Sequence, residues 1–270
     1  MSRIKAYIPF SKGGFLTAIA YRTHILGFLV GELLFSFIMY YLWKTVFANT
    51  GGTLLGFTFS DMVVFIFLSN ATRFLIHSEA TYTVAEEIVE GSISMRLIKP
   101  VRLDLSLMFT DLGGTVLTFV LIFIPMLIGI EIYRYLEFGV WMVSPVRIIL
   151  FLFSASFSFL VNFYFDLCFG FMAFFLKNLW GFSILKQSMV NFLSGSMIPL
   201  DFLPRIFADP IKLMPFASIS YTPVMIFMGK YNGASLISAM LLQVFWVIML
   251  YAISSLIYTI AKRYLSVQGG

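Results

Sequence analysis

The sequence predicts an all-α integral membrane protein with six transmembrane helices, and three observations carry that prediction. Apolar residues make up 60% of the 270-residue chain and charged residues only 11%, where soluble domains run at about 45–50% and about 25%. Mean hydropathy is +0.95. The run 235–261 holds no charge and the run 148–176 holds one, Asp166, so each exceeds the ~20 residues that cross ~30 Å of hydrocarbon.

Taken in order, residues 12–22 place Phe15, Leu16 and Ile19 on one face, flanked by Lys12, Thr17 and Arg22, as in a helix lying in the headgroup layer. A disordered basic tail is the plainer reading. The first apolar run starts only after Arg22 and His24, with no small-residue cleavage site behind it, so a chain starting near Met1 is expected. Span one, 25–43, contains Gly27-x-x-x-Gly31, which lets helix backbones approach closely. Span two, 60–77, must hold Asp61 at one interface while Arg73 snorkels to the other. Spans three to six fall at 107–130, 148–176, 182–198, with Lys186 near its start, and 236–261. A seventh full span over 213–229 is disfavoured by Pro215 and Pro223, because each removes a backbone donor and an unsatisfied carbonyl facing lipid costs several kcal/mol. Two short broken helices dipping in from the outer face are expected instead.

Basic residues test the layout, since cytoplasmic loops are enriched in them. One side collects Arg3, Lys5, Lys12, Arg22, Arg73, Arg96, Lys99, Arg102, Lys177, Lys186, Lys262 and Arg263; the other collects Lys44, Arg134, Arg147, Arg205, Lys212 and Lys230. Twelve against six accounts for all 18. Both termini should therefore be cytoplasmic, in a multi-pass protein of the cell membrane. Basic residues spread over short loops in this way form no nucleic-acid face.

The densest charge lies between spans two and three, from Glu86 to Arg102. From Thr81 the segment puts Val84, Ile88 and Val89 at helical spacing, with Glu86, Glu87 and Glu90 on the other face, and Gly91 and Pro100 punctuate it. It reads either as a short cytoplasmic helix docked on a partner or as a solvated loop with a few apolar anchors. Within the spans, polar groups are few: Glu32, Asp111, Asn162, Asp166 and Asn191. Hydration near the interfaces accounts for Glu32 and Asp111. Asn162 and Asp166 share a helix face and either line a transport path or bond neighbouring helices. The abundant Phe, Tyr and Met read as lipid-facing and interhelical packing.

Chemistry of other kinds finds no foothold. Cys168 is the lone cysteine, which excludes an internal disulfide and any CxxC metal site. The two histidines, His24 and His77, belong to no metal or acid–base motif. The P-loop pattern is absent, because Gly229-Lys230 is followed by Tyr231, so no phosphate cradle is offered.

The pattern E-x-I-x-x-G-x-I then L-x-x-P, formed by Glu86, Ile88, Gly91, Ile93, Leu97 and Pro100, resembles the first cytoplasmic loop of ABC-2 type permeases. The resemblance runs over nearly the whole chain. It includes the N-terminal amphipathic segment, the six spans, the outer P-L-x-x-L-P motif of Pro199, Leu200, Leu203 and Pro204, and the proline-bearing stretch 211–228, similar to re-entrant helices. It implies one permease domain over 1–270, with an interfacial segment at 1–24, a coupling loop at 78–106 and an outer re-entrant region at 199–234. The coupling loop, with Glu87, Glu90 and Arg96 among its charges, would sit in a groove of a separate cytoplasmic ATPase subunit that holds ATP and Mg. The chain itself would need no cofactor and no metal. The resemblance further implies a second permease subunit, identical or related, close to Gly27 and Gly31, and export of a drug-like, peptide-antibiotic or lipidic substrate. Pro215 and Pro223 would shape the re-entrant helices, and Asn162, Asp166 and Asn191 would lie on the path or between helices. The rivals are an ion-coupled secondary transporter or channel, which should show repeats and midplane charge, and a lipid-modifying enzyme, which needs a polar cluster at one interface.

Overall fold

The computed structural model describes residues 2–139, 141, 144–176 and 180–261. Lys177, Lys262 and Arg263, three of the charges used for orientation, lie outside the described residues. The chain folds as α1 (Ser2–Lys5), α2 (Ile8–Ala20), α3 (Arg22–Asn49), a hairpin of β1 (Thr53–Leu54) and β2 (Phe57–Thr58), α4 (Phe59–Leu75), α5 (Ala80–Val89), α6 (Ile93–Leu97) and α7 (Leu103–Thr118). It continues through α8 (Ile124–Phe138), α9 (Pro145–Phe171), α10 (Trp180–Leu193), α11 (Arg205–Leu213), α12 (Pro215–Ile219), α13 (Tyr221–Phe227) and α14 (Ala234–Ala261). Among the described residues the fold is all-α apart from the antiparallel hairpin, in which Thr53 faces Thr58.

Among the described residues, five helical stretches are long and apolar enough to cross a bilayer: Arg22–Asn49, Phe59–Val89, Leu103–Phe138, Pro145–Phe174 and Ala234–Ala261. The stretch expected as span five is different. α10 has 14 residues, ~21 Å at 1.5 Å per residue, short of ~30 Å of hydrocarbon. It begins where Phe169 and Phe182 stack at 4.9 Å and ends beside α13, where the Tyr221 amide donates to the Ser194 carbonyl at 3.1 Å. The third span is longer than its sequence pattern indicates. A π-helical turn, Phe119–Phe123, joins α7 to α8 just before Pro125, whose missing N–H forces the backbone to widen there.

The core gathers on α9, against which α4, α5, α12, α13 and α14 all pack. Phe123 stacks on Phe151 at 5.3 Å, Phe151 meets Phe227 edge-on at 5.7 Å, and Phe171 stacks on Tyr258 at 5.0 Å. The aromatic residues thus pack between helices, as their abundance indicated, while α3 and α14 leave most of their apolar surface outside.

The two ends of the bundle are built differently. At the hairpin end, Thr58 and Asp61 cap α4 reciprocally, and Lys230 donates to the Gly56 carbonyl at 2.9 Å and lies 3.3 Å from Asp61. α12 and α13 lie buried there, with every residue from Pro215 to Met228 enclosed. Pro204, Pro215 and Pro223 stand at or near helix starts, where a missing N–H costs nothing, and Pro199 opens a 3-10 turn at Leu200–Phe202.

At the opposite, loop end, α2 meets α7 at glycine: a Cβ on Gly14 would fall 2.0 Å from the Thr110 carbonyl oxygen, and one on Gly113 would fall 2.0 Å from that of Ser11. The N-terminal helix therefore starts earlier than residue 12 and docks on a span. Leu16 points outward, and Phe15 and Ile19 are half-buried.

Candidate functional site

α5 and α6 project from the loop end as a lever with a fixed base and a bare tip. The base is apolar and tight: Ala80 and Val84 are fully enclosed against α9. A Cβ on Gly170 would come within 3.1 Å of the Val84 Cβ and 3.2 Å of the Ala80 carbonyl oxygen, so any larger residue there would push α5 a few tenths of an ångström away from α9.

One turn away, charge crosses three helices. Lys186 of α10 donates to Asp166 of α9 at 2.9 Å and to the Thr81 hydroxyl of α5 at 2.9 Å. The Thr81 hydroxyl in turn donates to the Asp166 backbone carbonyl at 3.0 Å. Both charged side chains are only 4% exposed, and the ammonium lies 5.8 Å from the centre of the Tyr82 ring. Lys186 is thus a buried partner of Asp166, not a loop charge. Eleven basic residues against six remain after it is removed from the orientation count.

Asn162, Asp166 and Asn191 line one cavity between α9, α10 and the ends of α4 and α12, together with Arg73, Gln187 and Ser220. Asn162 also donates to the Ile76 carbonyl at 3.0 Å, and Asn191 accepts from Gln187 at 3.0 Å. The Ser220 hydroxyl is buried without a protein partner. Arg73 is held at the rim by Glu32 and by Asn70, the latter at 3.1 Å. Glu32 is therefore explained by an ion pair, and Asp111 by the Ser78 hydroxyl that donates to it at 2.7 Å; hydration is not needed for either. Among the described residues no three His, Cys, Asp or Glu side chains converge as a metal site.

Beyond the base, the loop opens out. Glu86, Glu90, Gly91 and Pro100 are exposed, Ile88 and Leu97 are half-buried, and Ile93 is buried and seats α6. Glu87 is engaged by Arg96, whose Nε lies 2.8 and 3.0 Å from the two carboxylate oxygens. The apolar stripe read from spacing faces the protein at Val84, whereas Val89, Met95 and Ile98 are 70–79% exposed at the tip. That outward set was not legible, because Met95 lies on α6 and Ile98 just past its end, after the chain turns at Gly91. At the loop's exit, the Arg102 amide donates to the Tyr7 hydroxyl at 3.0 Å, and its guanidinium pairs with Asp104 and reaches Tyr251 at 3.1 Å. The Asp104 hydrogen bond first, and that of Tyr251 second, hold Arg102 above its ordinary pKa.

At the far end, the break between α12 and α13 is closed by side chains. The Ser218 carbonyl accepts from Ser158 at 2.7 Å and from Gln243 at 3.0 Å, and Ser154 donates to Gln243 at 2.9 Å. Irregular backbone buried among apolar helices requires such partners. Asp201 likewise ties Lys212 at 2.6 Å and Tyr221 at 2.5 Å. Gly27 and Gly31 lie on a bare face of α3, with no atom within 4 Å of a Cβ placed on either.

A family model described as ABC-2 family transporter protein matches residues 33–269. The chain belongs to the ABC-2 transporter family. It is the multi-pass membrane subunit of an ABC transporter, not itself a catalytic enzyme, and family membership implies association with ABC ATPase subunits. No curated protein matches the chain. In this ABC-2 permease the matched region covers all five long apolar stretches but for the first turns of α3, together with the lever and the cavity.

Proposed function

We propose that this ABC-2 permease is half of an ATP-driven exporter in the cell membrane, with the α5–α6 lever seated in a groove of a separate ATPase that binds ATP and Mg. The observation that carries this reading is the contrast along α5: an enclosed base at Ala80, Thr81 and Val84, and a tip where Glu86, Glu90, Val89, Met95 and Ile98 face outward. Large apolar side chains exposed beside carboxylates on a projecting loop fit a protein groove better than lipid or water. Glu86 and Glu90 would set register and partner choice, because rim charges contribute little affinity.

The eleven-to-six excess of basic residues supports a cytoplasmic loop end with both termini on that side. α10 and the turn after it would make the fifth of six crossings, and α12–α13 the re-entrant pair on the outer face. The bare Gly27–Gly31 face of α3 would receive a second permease subunit, the same chain or a relative. The cavity at Asn162, Asp166 and Asn191 would border the path of an amphiphilic cargo: a drug-like molecule, a peptide antibiotic or a lipid. Membership of the family favours ATP over an ion gradient as the source of energy.

The test is co-purification with the ATPase co-expressed from its own operon. The double substitution Val89→Asp/Ile98→Asp is expected to reduce the captured ATPase at least about tenfold, which is 1.4 kcal/mol. Capture at the level of the unaltered chain would refute the docking surface.

A further inference from the structure

We infer that Thr81, Asp166 and Lys186 form the joint through which movement of the α5 lever reaches α9 and α10, a positioning role that rests on the reading of the lever as the ATPase contact. One ammonium holds three helices. It bonds the carboxylate of α9 and the hydroxyl of α5 at 2.9 Å each, and it is carried on α10. The Thr81 hydroxyl closes the triangle by donating to the α9 backbone at 3.0 Å.

Stability alone does not explain such a pair. Two charges taken out of water cost several kcal/mol each, and well-packed apolar residues of similar volume are often as stabilising or more so. What the pair provides is geometry: three helices locked in one register, directly beside the glycine contact where Ala80 and Val84 press on Gly170. Because the base is fixed and the tip bare, force on Glu86 to Ile98 turns α5 about this joint. α9 and α10 are two of the walls of the cavity that holds Asn162 and Asn191. Rotation of the joint therefore moves these walls together against the ends of α4 and α12, which close the cavity on its other side, and so sets how widely it opens.

The experiment uses the full chain with its ATPase in lipid nanodiscs, in a Cys168→Ser background, with AMP-PNP and Mg as the probe. A dye on Met95→Cys reports movement of the tip. The rate of maleimide alkylation at Val190→Cys, on the cavity wall, reports opening. In the otherwise unaltered chain AMP-PNP is expected to change the Met95 signal and to alter the Val190 rate at least about fivefold, the low end of a coupling between distant sites. Asp166→Leu/Lys186→Met removes both charges together and keeps the fold. It is expected to leave the Met95 signal intact while abolishing the effect at Val190. Thr81→Val should weaken that effect and Thr81→Ser restore it. A full Val190 response in the folded double variant, with the tip still moving, overturns the joint. A tip that ignores nucleotide in the unaltered chain overturns the lever reading and the joint with it.

Discussion

The two ends of this ABC-2 permease solve the same problem, polar groups buried among apolar helices, by opposite means. At the loop end a full ion pair, Lys186 with Asp166, bridges α9 and α10 and reaches the sequence-distant α5 through Thr81. At the hairpin end the interrupted backbone between α12 and α13 is satisfied by neutral groups, Gln243, Ser154 and Ser158. A neutral amide loses little if a neighbour shifts, whereas a buried charge that loses its partner is strongly penalised. The charged end therefore keeps Thr81, Asp166 and Lys186 in one register even as it moves, whereas the neutral end loses less when a neighbour shifts.

The sharpest way to break the comparison is Lys186→Met alone. It strands Asp166 in an apolar site and should cost about 3–5 kcal/mol, read as a large drop in thermal unfolding temperature in detergent. Asp166→Leu in the same chain should recover most of it. Next comes Gly113→Val, which drives side-chain atoms into the Ser11 carbonyl and must push α2 off α7, at about 1–3 kcal/mol. Gln243→Leu at the neutral end should lose about 1–2 kcal/mol, and a loss equal to that of Lys186→Met would erase the distinction between the ends. Smallest of all, Gly31→Leu should stay within about 0.5 kcal/mol in the isolated chain, as expected for a substitution on an open surface. A loss of assembly without a loss of stability there would mark the α3 face as an interface between subunits.

Much of the fold was legible, and the reasons differ by element. The stretches 235–261 and 148–176 announce themselves because absence of charge over more than 20 residues has one physical explanation. α10 is harder, since Lys186 reads as a flanking charge until its partner, 20 positions earlier in sequence, is brought beside it by the fold. The same holds for Glu32 and Arg73, 41 positions apart. Gln243 passes unnoticed in a count of charges because an amide carries none, though it closes a gap in the backbone. In the lever, helical spacing finds the buried side through Val84, but the exposed tip depends on how α6 turns after Gly91. The small-residue contact of Gly14 with α7 leaves no periodic trace, because what identifies it is the closeness of another helix.

α3 has only Ser36, Trp43 and Phe47 enclosed along its 28 residues, and its one acidic group, Glu32, is answered from α4 by Arg73. During synthesis α3 emerges before α4. A lone carboxylate within a bilayer costs about 2.5–3.5 kcal/mol on insertion scales, and that penalty lasts until the arginine arrives. The cheapest entry into the membrane is thus as a two-helix hairpin, with Asn70 reaching Ser36 at 2.6 Å as the neutral tie that keeps the pair in step.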